Sequence, residues 1–226
     1  MYKIYGVPTQ HTRKVLYAAA NLELDYSYEY INLSKGEHRT EQFMTKTPAG
    51  KVPVLEHDGK YIFESGAIVR YLANINPSAI YPSDAYERSQ VDAWLDYIAC
   101  HLGRWLSTLY FQKVIKTNFK RGAQDQSQIK DALHFIPLQF KQLDAHLEKN
   151  QYLTGVSMTL ADICAWAYIE QIKFIDISLT PYKYVKRWFE RTFDNSNIAQ
   201  AQIYLTRHMA DANFSLYNPS CNSKSI

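Results

Sequence analysis

Glu64-Ser65 follows a strand-like run and opens a helical one. Free backbone N–H groups and the helix dipole favour an anion at such a point. The Ser65 hydroxyl can donate to a carboxylate, and the Glu64 carboxylate can accept from an ammonium. Together the pair suits an α-amino-acid head, which carries both charges. The bland alternative is a plain serine cap. His38, Arg39 and Lys51 add three cationic or potentially cationic side chains in the polar stretches around this region. They suit a second carboxylate at the far end of a ligand, or simply a solvated face.

Val52-Pro53 begins a strand-like run. A cis bond there would turn the backbone of Val52 outward, where an extended peptide can pair with it as an added strand. A trans proline that starts an edge strand is the equal alternative.

The loop Val7-Pro8-Thr9-Gln10-His11-Thr12-Arg13 carries two hydroxyls near a helix start. A thiol of pKa ~8.5 is about 3% ionised at pH 7, and a two-unit drop needs ~2.7 kcal/mol of thiolate stabilisation. One or two charge-assisted hydrogen bonds, at roughly 1.5–3 kcal/mol each, plus a helix dipole would supply it. Thr9 or Thr12 serves equally as an ordinary N-cap.

The elements that must position these residues change in kind near residue 76. Tyr2–Tyr5 reads as a strand, Arg13–Leu22 as a helix with Val15, Leu16, Ala19 and Leu22 on one face, and Asp25–Ile31 as a second strand. A short helical piece surrounds Phe43. Val52–Phe63 is a hairpin about Asp58-Gly59, the dipeptide that accepts positive φ at both turn positions. The next helix buries Ile68, Tyr71, Leu72 and Ile75. The order is βαβαββα, with the first two strands parallel.

Residues 76–84 hold two prolines without periodicity and read as a linker. Residues 85–210 read as all-helical. A long helix runs from Ala85 to about Lys116 with a kink at Gly103. A second spans Gln128–Leu147 with Leu133, Ile136, Phe140, Leu143 and Leu147 inward. Thr159-x-x-Asp162 is a capping box opening a third helix. Thr180-Pro181 supplies an N-cap and a first-turn proline for a fourth, which runs to Phe193. Residues 197–209 form a last helix, and residues 211–226 read as a flexible tail.

Composition narrows the function classes. The chain has 226 residues, enough for two small domains without a staple. A net charge of +3 is too slight to imply nucleic acid or a membrane surface. Cys100, Cys164 and Cys221 are three and far apart, which argues against a disulfide scaffold and a structural metal. No 18-residue apolar run and no signal-like N-terminus is visible. A soluble, cytoplasmic protein in a reducing compartment fits.

The motifs in their order resemble the cytosolic glutathione transferase family, phi- and theta-like. The likeness is carried by Pro8-Thr9-x-x-Thr12-Arg13, Gly36-Glu37-His38-Arg39, Thr47-Pro48-x-Gly50-Lys51-Val52-Pro53 and Phe63-Glu64-Ser65-x-Ala67-Ile68. It implies a thioredoxin-like N-terminal domain over residues 1–75, an all-helical domain over 85–210, and a glutathione site without metal. Val52 and Pro53 would then pair with the cysteinyl group. Glu64 and Ser65 would hold the γ-glutamyl head, and His38, Lys51 and Arg39 would face the glycyl carboxylate. Thr9 stands where related members carry the activating serine, with Thr12, His11 or a backbone N–H as alternatives. The loop contains no Cys, which disfavours thiol-reductase chemistry.

The same resemblance implies an electrophile pocket near His101, Trp105, Leu106, Tyr110 and Tyr168. Trp105 and His101 read more readily as core. It also implies a homodimer. The implied reaction is thiolate attack on a small apolar electrophile. The alternatives are glutathione-dependent peroxide reduction, isomerisation or dehalogenation, or a non-catalytic interaction module of the same architecture.

Overall fold

The structure, a computed structural model, describes residues 1–210. The tail 211–226, with Cys221, lies outside the described residues. The chain divides into two compact units. One comprises Met1–Ser78 with the described residues from Phe193 on, and the other comprises Ala79–Thr192.

The first unit follows the predicted element order. β1 (Tyr2–Gly6), α1 (Gln10–Asn21) and β2 (Tyr26–Tyr30) form a parallel crossover unit. Two short 3-10 turns, Leu33–Lys35 and Glu37–Arg39, lead to α2 (Glu41–Met44), capped by Thr40, whose hydroxyl accepts from the Phe43 N–H at 3.2 Å. β3 (Val54–His57) and β4 (Lys60–Phe63) form the hairpin, followed by α3 (Ser65–Ile75). The sheet order is β2-β1-β3-β4, with β3 antiparallel to both neighbours. Asp58 and Gly59 have φ of 49° and 72°, the two positive values a type I′ turn needs.

The core explains why these segments are ordered. Val15, Leu16 and Ala19 of α1 and Ile68 and Leu72 of α3 are fully buried, and the two helices pack on each other. Tyr5, Ile31, Phe43 and Val54 form a second cluster, with Leu33 and Val52 against it. Ile75, predicted to point inward, is 42% exposed because α3 ends there.

The second unit is helical, as predicted for its class. α4 (Ala85–Tyr97), α5 (Gly103–Tyr110) and α6 (Lys116–Asn118) run on through two π-helical turns, Ile98–Leu102 and Phe111–Ile115. The backbone stays right-handed helical throughout, so the predicted kink at Gly103 is a π turn closed by the Gly103 N–H on the Ile98 carbonyl. A side chain at Gly103 would meet the Tyr168 ring at 2.8 Å, so the glycine permits close helix packing.

α7 (Gln126–Lys149) buries Ile129, Ala132, Ile136, Phe140, Leu143 and Leu147. Leu133 is 43% exposed, which corrects its inward assignment: the buried stripe passes through Ala132 instead. α8 (Leu160–Ile169) is buried along its whole length and opens on the predicted capping box. α9 (Lys183–Phe193) starts two residues after Pro181. Its first N–H groups, those of Tyr184 and Val185, are capped by Asp144 from α7 at 2.7 and 2.9 Å, so Thr180 does not cap it.

The last helix departs from the sequence expectation of one helical domain through residue 210. α10 (Ser196–Ala210) packs against α1 and belongs to the first unit. Ile198, Ala201 and Leu205 form its buried stripe. The Tyr204 hydroxyl accepts the Tyr28 N–H at 3.2 Å, covering part of the open edge of β2. Among the described residues no helix is long and apolar enough to cross a membrane.

Candidate active site

The loop after β1 is held from below by a buried arginine. Arg13 Nε donates to the Pro8 carbonyl at 3.1 Å, and one terminal nitrogen donates to the Tyr17 hydroxyl at 3.3 Å. Thr9 sits at the N-cap position of α1 with extended backbone, but its side chain caps nothing. Its half-buried hydroxyl lies 3.5 Å from the Val7 carbonyl.

Val52-Pro53 is cis, which resolves the alternative left open by the sequence. The β1–β3 ladder begins at Val54, so Val52 lies just outside the pairing. Its side chain packs on the Tyr5 cluster, which fixes the residue from its apolar side.

Glu64 precedes α3 with φ 65° and ψ 112°, a left-handed conformation that is strained for a non-glycine residue. It is exposed, while Ser65 behind it is only 6% exposed. Backbone strain held by the surrounding fold is a recurrent feature of ligand clamps.

These pieces meet. A cavity of about 200 Å³ is lined by Lys51, Val52, Pro53, Glu64 and Ser65, together with His11, Thr47, Ala49 and Phe63. Five residues expected from the sequence to hold a tripeptide therefore share one concave surface. Its wall offers a cation, a strand-like backbone outside the ladder, a carboxylate and a helix-terminal hydroxyl.

Comparison with known proteins gives the family. The family model for the glutathione S-transferase N-terminal domain matches residues 1–74, and that for the C-terminal domain matches residues 101–195. Glutathione S-transferase hmp2 of Hypomyces subiculosus is 31% identical over 195 residues, covering 83% of this chain and 91% of its own.

The chain belongs to the glutathione S-transferase family.

The enzyme class that goes with this family is glutathione transferase. A more distant relative has another printed activity: a disulfide-bond oxidoreductase of Escherichia coli (strain K12) is 27% identical, covering 93% of this chain and 98% of its own. Among solved structures, that of glutathione S-transferase-I bound with lactoylglutathione superposes with a TM-score of 0.81 at 25% identity, covering 88% of this chain and 97% of the other.

Against this glutathione S-transferase frame, the remaining expected site residues fall into place unevenly. Thr9 does not line the cavity. Thr12, its alternative, is fully buried, and its Oγ1 has no hydrogen-bond partner. It packs against β1, where a Cβ on Gly6 would meet the hydroxyl at 2.5 Å. Thr12 is therefore a packing residue.

His38 and Arg39 also lie outside the cavity wall. Arg39 is exposed and donates through Nε to His38 Nε2 at 3.3 Å. The His38 carbonyl stands under Gly50, whose φ of 55° and lack of a side chain let the chain turn into Lys51. Lys51 is the cation that reaches the cavity.

Of the expected electrophile contacts, Leu106 is fully buried and Tyr110 is 3% exposed, with its ring edge-on to Phe174. Tyr168 packs against Gly103. Leu106 is thus helical core. Trp105 stacks on Phe135 of α7 at 4.6 Å, and His101 is exposed beside Tyr97.

His11 was only one of several alternatives in the sequence, yet it is the residue of the loop and first turn that lines the cavity. Burial, reinforced by the positive charges of Lys14 and Lys51, holds its imidazole down at about 4. It is neutral at physiological pH and carries one N–H donor.

Among the described residues no group of three His, Cys, Asp or Glu side chains gathers as metal ligands.

Proposed function

We propose that this glutathione transferase binds glutathione along the cavity of its first unit and adds the thiolate to a small apolar electrophile. The observation that carries the reading is the meeting of Lys51, Val52, cis-Pro53, Glu64 and Ser65 on one surface. The cysteinyl backbone pairs with Val52 as an added strand. Ser65 and the first N–H groups of α3 take the γ-glutamyl carboxylate, and Glu64 takes its ammonium. Lys51 takes the glycyl carboxylate.

Binding at three points holds the sulfur in place, and proximity does most of the catalytic work. His101 and Trp105 are the candidates to meet the electrophile, since they keep accessible surface in the helical unit. We extend the reading to a cytoplasmic homodimer, for which sedimentation velocity is the measurement.

The test is isothermal titration of the full chain with glutathione, followed by conjugation of a chloronitrobenzene. Saturable binding at millimolar ligand with turnover supports the reading. Binding without conjugation, but with reduction of a mixed disulfide or a peroxide, favours the alternative glutathione-dependent chemistries. Absence of binding leaves the non-catalytic module.

A further inference from the structure

Glutathione bound as above leaves its sulfur to be matched with a donor, and the cavity wall restricts the choice. Lys51, Glu64 and Ser65 are committed to the two charged ends. Thr47 is 1% exposed, too little to present its hydroxyl to a ligand sulfur. Thr9 and Thr12 are not in the wall. One polar side chain of α1 lines the wall, and it comes from the first turn of the helix, where the dipole favours negative charge.

We propose that His11, rather than Thr9, is the side chain that donates a hydrogen bond to the glutathione sulfur and stabilises its thiolate, which makes it a catalytic residue of this chain. The proposal rests on the reading of the cavity as the glutathione site.

The charges around His11 define its role. Lys14 on its own helix and Lys51 across the cavity both oppose an imidazolium. Glu64, also in the wall, is taken up by the ligand's ammonium. His11 therefore stays neutral and acts as an N–H donor, not as the proton acceptor. On binding, the S–H bond breaks heterolytically and its proton leaves to solvent. The sulfur lone pair then forms the S–C bond with the electrophile, and the leaving group departs with its bonding pair as an anion. Protons and charge balance without any further reactant.

Thiolate absorbance of the full chain saturated with glutathione, titrated with pH, tests this directly. His11→Ala raises the thiol acid dissociation point by about one unit, roughly the tenfold expected from losing one charge-assisted hydrogen bond. kcat/KM at neutral pH falls by a similar factor. The glutathione dissociation constant, read by calorimetry, holds within about threefold, which also shows that the variant is folded.

His11→Asn keeps an N–H donor and recovers a substantial part of both losses. An unchanged titration in His11→Ala overturns the proposal, as does a shift produced by Thr9→Val alone. Failure of the wild-type chain to bind glutathione overturns the cavity reading and this proposal with it. Binding with an unmoved thiol titration overturns only the role of His11.

Discussion

Trp188 Nε1 donates to Asp162 Oδ1 at 2.8 Å, which ties α9 to the start of α8. The same carboxylate accepts the Leu153 N–H and the Thr159 N–H, both at 2.9 Å, and the Thr159 hydroxyl at 3.0 Å. Asp162 is fully buried, so every one of its donors depends on it. Burial pushes its carboxyl above the usual range, against the pull of these four donors.

Asp162→Ala would leave three buried N–H groups unpaired, at about 1–3 kcal/mol each before relaxation. We expect a loss of roughly 3–5 kcal/mol in urea unfolding, the scale for orphaning partners of a buried charge. Trp188→Phe removes one donor and keeps most of the volume, so about 1–2 kcal/mol is expected. Equal losses in the two variants would mean that Asp162 does not organise the cluster.

Glu64 joins ligand contact to backbone strain, and the two separate by substitution. A left-handed non-glycine residue outside the common basin costs roughly 1–3 kcal/mol. Glu64→Gly relieves that strain but adds unfolded-state freedom of about 0.5–1 kcal/mol. The expected net is a small rise in the urea midpoint, whereas Glu64→Ala gives none. Both variants lose the carboxylate, and calorimetry should show glutathione affinity falling about tenfold or more. A fall in the Glu64→Gly midpoint would contradict the strain.

His11 makes stability depend on acid. Above about pH 6.5 the side chain is neutral in both folded and unfolded chains and contributes no slope. As pH falls below that, the unfolded chain takes up a proton that the folded chain, with its imidazole at about 4, refuses. Stability therefore drops between about pH 6.5 and 4, by at most about 3.4 kcal/mol at 1.36 kcal/mol per unit. Urea unfolding of wild type and His11→Gln across this range gives the contribution as the difference between the two. A difference constant with pH would show that His11 is as readily protonated folded as unfolded.

Thr12 carries a buried hydroxyl without a partner. Replacing it by the near-isosteric valine removes an unsatisfied polar group from a buried site. Thr12→Val should hold or raise stability by about 1 kcal/mol in the same unfolding measurement. A clear loss would show that the hydroxyl has a partner after all.

Much of this protein is legible along the chain because the signals are local. Asp58-Gly59 announces its turn through the φ values the two residues tolerate. Thr159 and Asp162 announce a helix start through a spacing of three. Glu64, Ser65 and Val52-Pro53 stand out as candidates because each sits at a junction between elements, where backbone groups are left over, and the fold brings them onto one cavity wall.

Tertiary structure decided what spacing cannot encode. Periodicity put Leu133 on the buried stripe and Ile75 in the core, because it gives a face to within about one residue and does not say which neighbour covers it. It grouped α10 with the other helices, since a helical pattern does not name its partner; Tyr204 reaching the edge of β2 settled that. The resemblance favours Thr9 over His11 and Thr12, but spacing does not say which of the three lines the cavity. Adjacent residues on a first helical turn point in directions about 100° apart, and only the packed fold determines which of them faces the cavity and which faces Gly6.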